Sequence, residues 1–443
     1  MRRSWRRVPT WLAACSVGVL LSLAPTAPPA GAAAAAAVYH VSATGSDAGN
    51  GSHASPWRTI AKATSSAPVG AVIMVGTGTY APFTVTKAGQ TVTAAPEASV
   101  VVQGRAGVQD VVRIAAPTAT VKDLTVKGCV PNPNPAGGFN DNGSSAVRIH
   151  DGAHGVTVAG LRIRDSRGTN SHGLRFGCYG ILAHGANASK IVDNDIAGTG
   201  SGVYVMGGGA GTLVADNRIH DNDVLIRNTP GNDDDYGANG ISFANVRSLP
   251  GPVVTRNIIK GNFGPSSDYG FDGGAVEIFN SSHVSVLANT IADNENVLET
   301  GNSPNGRNLL GECIGNVFAG NTVSGRAPGS KLDRSIGMIL RCATGMVVKG
   351  NSFTGIDWWV YEITTGDKFA SNVNGLTITG NSVIADQKVY ALGVDPFATA
   401  LVLDANRIRH TGKIFANHAD GSTSPDLADW QRRTLRDLTS TSL

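Results

Sequence analysis

Val286-Leu-Ala-Asn289-Thr-Ile291 is one copy of a phrase that recurs along this chain: alternating apolar residues, an Asn, one residue, then an apolar residue. It reads Ile191-Val-Asp-Asn194-Asp-Ile196, Leu213-Val-Ala-Asp-Asn217-Arg-Ile219 and Val254-Thr-Arg-Asn257-Ile-Ile259. Downstream come Val317-Phe-Ala-Gly-Asn321-Thr-Val323, Val347-Val-Lys-Gly-Asn351-Ser-Phe353, Ile378-Thr-Gly-Asn381-Ser-Val383 and Leu403-Asp-Ala-Asn406-Arg-Ile408. From Asn257 through Asn289, Asn321 and Asn351 to Asn381 the spacings are 32, 32, 30 and 30 residues, the period of a solenoid. Earlier copies look degenerate, with Asp123 and Gly160 where the Asn should be. Period-2 alternation around a turn residue means short strands joined by tight corners. Asn tolerates the left-handed backbone such a corner needs, and stacked amides can bond from coil to coil. Gly and Asn every few residues exclude helices over most of this region. The pattern predicts an all-β chain: a right-handed parallel β-helix whose Asn column is structural.

Composition agrees. A chain of 443 residues would ordinarily hold two or three domains, unless one repeat domain fills it. Charged residues are 16% of it and Gly numbers 56, so its polarity comes from Asn, Ser and Thr. Arg2, Arg3, Arg6 and Arg7 precede an apolar run, Trp11 to Leu23, and an alanine-rich stretch ending at Ala37, the order of an export signal. Removing those four arginines takes the formal charge from +3 to −1, leaving no nucleic-acid footprint. The expected organisation is a signal and cleavage region over 1–37 and one β-helix domain over 38–443. Within it, 38–80 form the N-terminal cap and first coil, and 424–437 the C-terminal capping helix. Ser55 is expected to cap a short helix with Pro56 in its first turn, and Ser424-Pro425-Asp426 repeats that chemistry. The expected product is a secreted monomer with no membrane attachment once the signal is gone.

Four cysteines remain beyond the signal: Cys129, Cys178, Cys313 and Cys342. Of three possible connectivities, Cys129–Cys178 with Cys313–Cys342 fits an architecture in which sequence neighbours are spatial neighbours.

Tyr39-His-Val-Ser-Ala-Thr-Gly-Ser-Asp47 followed by Pro56-Trp-Arg-Thr-Ile60 resembles the opening of secreted bacterial β-helix proteins of the pectate-lyase-like superfamily. Asp429-Trp430-Gln431 resembles the C-terminal helix of the same group. The resemblance covers essentially the whole chain beyond the signal. It speaks to fold, because this scaffold hosts lyases, hydrolases, epimerases and binding proteins.

Candidate chemistry lies on outward-facing residues of one sheet and on its overhanging loops. Alternation in Ala275-Val-Glu-Ile278 points Glu277 outward, and likewise Glu299, Arg341 and Glu362. In register, the outward column is expected to read Ser242, Glu277, Glu299, Arg341, Glu362. Adjacent ionised carboxylates repel, so one must be protonated, bind a cation or pair with Arg341. The candidate catalytic residues are Glu277, Glu299, Arg341 and Asp272. Candidate calcium ligands are Asp268, Asp272, Glu277 and Glu299, and candidate substrate contacts are Tyr236, Tyr269, Trp358 and Trp359. The leading expectation is Ca²⁺-assisted β-elimination on a uronate polysaccharide, in which Arg341 as base resembles the pectate-lyase arrangement. A glycoside hydrolase using paired carboxylates and a non-catalytic carbohydrate-binding surface protein are the alternatives.

Overall fold

The computed structural model describes residues 36–131, 143–169, 173–231, 234–301, 313–364, 373–397 and 399–443. The expected export segment, save Ala36 and Ala37, lies outside the described residues, as do Asn232 and Asp233 of the first acidic loop.

Each coil contributes one strand to each of three sheets, and each sheet has 13 strands among the described residues. Strands pair in parallel with the corresponding strand of the next coil, from Val38–Val41 on Val72–Val75 to Thr377–Thr379 on Val402–Asp404. The chain is a right-handed parallel β-helix. Register follows from what faces inward. Val158, Ile191, Val214, Val254, Val286, Phe318, Val348, Ile378 and Leu403 align one above another and are all buried. A slip of one residue would carry that whole set to solvent.

The Asn ladder forms as the repeat predicts. The Nδ2 of Asn194 donates to Oδ1 of Asn217 at 2.9 Å, and the relay continues through Asn257, Asn289, Asn321, Asn351, Asn381 and Asn406 at 2.9–3.1 Å. Each Oδ1 also accepts the backbone N–H of the Asn one coil earlier, as Asn289 does for Asn257 at 2.9 Å. Two details differ from expectation. The left-handed residue is the one before each Asn: Asp193, Asp216, Arg256, Ala288, Gly320, Gly350, Gly380 and Ala405 all have φ between 53° and 64°. The Asn itself needs a backbone that aims its amide into the column, so the corner's strain falls on its predecessor. Asp123 and Gly160, both at φ 61°, therefore match these predecessors. Buried Leu124 and Leu161 occupy the ladder position in the early coils, where apolar packing replaces amide bonding.

The ends also shift slightly. The first helix runs Ile60–Ser66 with Thr59 as N-cap, its hydroxyl accepting from Lys62 N–H at 3.1 Å. Ser55 and Pro56 lie before it, Ser55 closing a turn on Ser52, and Trp57 bridges to Val41. Asp47 fixes the entry by accepting from the N–H groups of Arg58 and Thr59, both at 2.9 Å. The closing helix spans Leu427–Thr434, with Asp426 as N-cap. Its Trp430 is buried and stacks on Tyr390 at 4.8 Å. The indole N–H donates to Asp437 at 2.9 Å, and the other Asp437 oxygen accepts the last ladder amide, Asn406, at 3.0 Å. A carboxylate is acceptor-only, which suits the end of a column that passes donors in one direction. Disulfides join Cys129 to Cys178 and Cys313 to Cys342, the local connectivity.

Candidate active site

The site lies on the outer face of the sheet that contains Asn239–Ala244, Gly274–Phe279, Asn296–Gly301, Ile336–Leu340 and Trp359–Ile363. The chain detours before these strands. Between the third sheet and this one, Leu225–Arg227 and Tyr236–Gly237 pair, as do Gly264–Ser266 and Gly270–Asp272, building a wall along the sheet's leading edge.

Glu277 and Glu299 are direct register partners on adjacent strands, with Ser242 preceding Glu277. Both glutamates are half-buried between inward neighbours that are fully buried. The next residue in the column is Ile339, followed by Glu362. Arg341, expected there, lies two residues further along, because Met338 and Leu340 take the inward positions and set the register. It nevertheless reaches back to Glu299, and its guanidinium donates to that carboxylate.

Adjacent carboxyls in a confined site cannot all stay charged without cost. Burial, then the facing Glu299, push Glu277 up to about 8. Asn239 Nδ2 donates to its Oε2 at 2.7 Å, which orients the group. Asp272, from the wall, lies well above the usual carboxylate range through burial and then Glu277 and Glu299. Glu362 is also raised, burial outweighing the pull of Arg341. The arrangement pairs a carboxyl that keeps its proton near neutrality with a neighbour that carries its own counter-charge.

Sequence reasoning missed Glu295. It is 5% exposed, contacts Arg334 at 3.5 Å, and burial raises it to about 7. Beneath it runs a second amide column: Asn222 donates to Asn262 at 2.8 Å, and Asn262 to Asn294 at 2.9 Å. The signal was available, since each lies five residues after a ladder Asn (217, 257 and 289).

The four candidate calcium ligands divide between two places. Asp272 comes within electrostatic reach of the register partners Glu277 and Glu299, whereas Asp268 joins Asp234 and Asp235, three carboxylate oxygens within 4.8 Å of one another. That trio staples the two loops. Asp235 Oδ2 accepts from both Ser266 and Ser267 hydroxyls and from the Ser267 N–H at 2.7–2.8 Å, and Asp234 pairs with Arg227 at 2.6 Å. With so many donors already on these oxygens, the trio falls short of the six to eight open oxygen ligands Ca²⁺ takes.

Of the aromatic candidates, Tyr269 is 44% and Trp358 42% exposed. Tyr269 is under the influence of Asp272, Asp268 and Glu299, which, after burial, help push its hydroxyl to about 12. Trp358 meets Trp359 edge-on at 5.4 Å and lies under the Arg334 guanidinium at 5.7 Å. Trp359 is half-buried, and Tyr236 is held inward, its hydroxyl 3.2 Å from that of Tyr179.

Solved structures with similar architecture include XylC in complex with xylose, at 11% identity over 91% of this chain and 82% of that one, TM-score 0.48. DFA-IIIase from Arthrobacter chlorophenolicus A6 without its lid matches at 15% identity over 77% and 88%, TM-score 0.48. PfbA, a surface adhesin of Streptococcus pneumoniae, matches at 11% over 82% and 88%, TM-score 0.48. No protein-family model matches the chain, and no curated protein matches it in sequence.

Proposed function

We propose that this protein is a carbohydrate-active enzyme that hydrolyses glycosidic bonds of a polysaccharide, with Glu277 as general acid and Glu299 as nucleophile. The observation that carries this reading is the direct register of the two carboxyls on neighbouring strands, one with a raised pKa and the other paired with Arg341. Adjacent strands lie about 4.8 Å apart, close to the roughly 5–5.5 Å carboxyl separation of retaining enzymes. Glu277 donates its proton to the glycosidic oxygen as the bond to the anomeric carbon breaks. Glu299 forms a new C–O bond at that carbon. Water, deprotonated by Glu277, then displaces Glu299 and restores both groups. Arg341 serves as counter-ion, since a guanidinium engaged in an ion pair makes a poor base. Two disulfides and the basic–apolar leader support action outside the reducing cytoplasm.

Ca²⁺-assisted elimination on a uronate polymer is the second reading, favoured by Asp272, Glu277 and Glu299 acting on one another as neighbouring acids. One assay separates them. Reducing ends released in chelator, without ultraviolet absorbance from unsaturated uronates, is the expected result. Absorbance that appears only with added Ca²⁺ makes the protein a lyase.

A further inference from the structure

We propose that the outer face of the third sheet, a different sheet from the one that carries Glu277 and Glu299, is a docking strip for a linear polysaccharide that bears carboxylates. The strip spans the adjacent strands Thr125–Lys127, Arg162–Arg164, Asp195–Ala197, Arg218–His220 and Ile258–Lys260. Their central residues, Val126, Ile163, Ile196, Ile219 and Ile259, are fully buried, so alternation turns the two flanking residues of each strand outward. One outward row reads Thr125, Arg162, Asp195, Arg218, Ile258; in the other, Lys127 partners Arg164 and His220 partners Lys260. Five of these ten outward positions are Lys or Arg and one is an acid, which makes the strip basic in a chain of nearly balanced charge. The next strands, Thr290–Ala292, Thr322–Ser324 and Ser352–Ile356, carry no charged residue, so the strip ends there. Asp195 is bonded to Arg164 at 2.5 Å and to His220 at 2.8 Å. Lys127, Arg162, Arg218 and Lys260 form no ion pair among the described residues and are free to meet an anion. Neighbouring strands lie about 4.8 Å apart, so Lys127 to Lys260 spans four steps, about 19 Å, and the two rows are about 7 Å apart. That is room for one extended chain. Acids stand at the corners along both edges, Asp193 and Asp216 before these strands and Asp165 and Asp221 after them. A nucleic-acid duplex, with a phosphate charge for about every 1.7 Å, would press on those acids, and like charges at an interface select against a partner. A single sugar chain stays between them. Its carboxylates meet guanidinium groups whose paired N–H donors fit them, and its hydroxyls donate to the partly exposed Asp195 carboxylate.

Binding is read without turnover, by migration of the purified protein in chelator through native gels that contain polygalacturonate, dextran or duplex DNA. Each variant is compared with its own mobility in a polymer-free gel. The expected result is retardation by polygalacturonate at low salt, none by dextran, and release at about 0.5 M salt. The quadruple variant Lys127→Gln/Arg162→Gln/Arg218→Gln/Lys260→Gln should weaken that retardation at least about tenfold in apparent Kd. Its thermal midpoint should stay close to the parent's, because all four side chains face solvent. The pair Arg162→Gln/Arg218→Gln alone should give a smaller loss in the same direction, which keeps the test open if the quadruple variant folds poorly. Trp358→Ala, on the other sheet, should leave the retardation unchanged. Absence of retardation by polygalacturonate overturns the proposal, as does a tighter hold on duplex DNA than on polygalacturonate. Retardation that survives the basic-strip variants also overturns it, and its loss with Trp358→Ala would then assign the polymer to the sheet of Glu277 and Glu299.

Discussion

Two kinds of side-chain column run through this solenoid, built by the same geometry and opposite in chemistry. In the ladder from Asn194 to Asn406, each amide offers a donor and an acceptor, so identical residues stacked in register satisfy one another. In the column through Glu277 and Glu299, identical residues stacked in register offer only acceptors when charged. The first column is complete within itself and ends on Asp437, which accepts its last donor. The second is incomplete, and it takes a retained proton, Arg341 and the donor of Asn239 to hold it together. Repetition stabilises when the repeated group is self-complementary, and it stores reactivity when the group is not.

The largest test of that contrast is Glu299→Gln, which should lower reducing-end release roughly a thousandfold or more. Its urea unfolding midpoint should stay close to the parent's, because relief of the repulsion on Glu277 offsets the lost charge opposite Arg341; an active variant would remove Glu299 from the mechanism. Asn289→Ala should do the reverse. It strips the acceptor from the side chain and N–H of Asn257 and should cost on the order of 2–4 kcal/mol by denaturant titration. Turnover per folded molecule should be unchanged. Replacing Cys313 and Cys342 together with Ser should cost about 2–4 kcal/mol, read as a lower thermal midpoint.

A smaller effect comes from pH. Glu277 holds its proton up to about 8 in the folded protein, against 4.5 ordinarily. Between those values the folded chain binds a proton that the unfolded chain has released, so stability is greatest at the acid end and falls as pH rises. Glu295, raised to about 7, adds in the same direction. The thermal midpoint should therefore drop from pH 5 to pH 8, and Glu277→Gln should flatten that slope. A slope unaffected by the substitution would place the titrating group elsewhere. The mildest change is Trp358→Ala, which should raise KM roughly two- to tenfold with kcat retained.

The ladder was legible because Asn recurs within the same apolar phrase, at 30- to 32-residue intervals from Asn257 to Asn381, and that phrase admits one stacking. The outward direction of Glu277, Glu299, Arg341 and Glu362 was legible from alternation for the same reason. Arg341 was misplaced along its strand because alternation gives the face but not the offset, and Met338 and Leu340 decide the offset by fitting the core. Asp123 and Gly160 were matched to the wrong position because the left-handed residue and the ladder residue are neighbours, and only dihedral angles separate them.

By itself, the sequence determined a parallel β-helix and its Asn column, and it pointed to the closing Trp430 helix and the local cysteine pairing that the structure shows. Each of these depends on local periodicity or on proximity of neighbouring coils. The tertiary structure decided which acids influence one another: Asp272 and Glu295 arrive from a hairpin and a corner, while Asp268 is drawn away to Asp234 and Asp235. Those placements depend on how loops of unequal length fold over the sheet. A loop's path is set by contacts with its neighbours rather than by any period in its own residues.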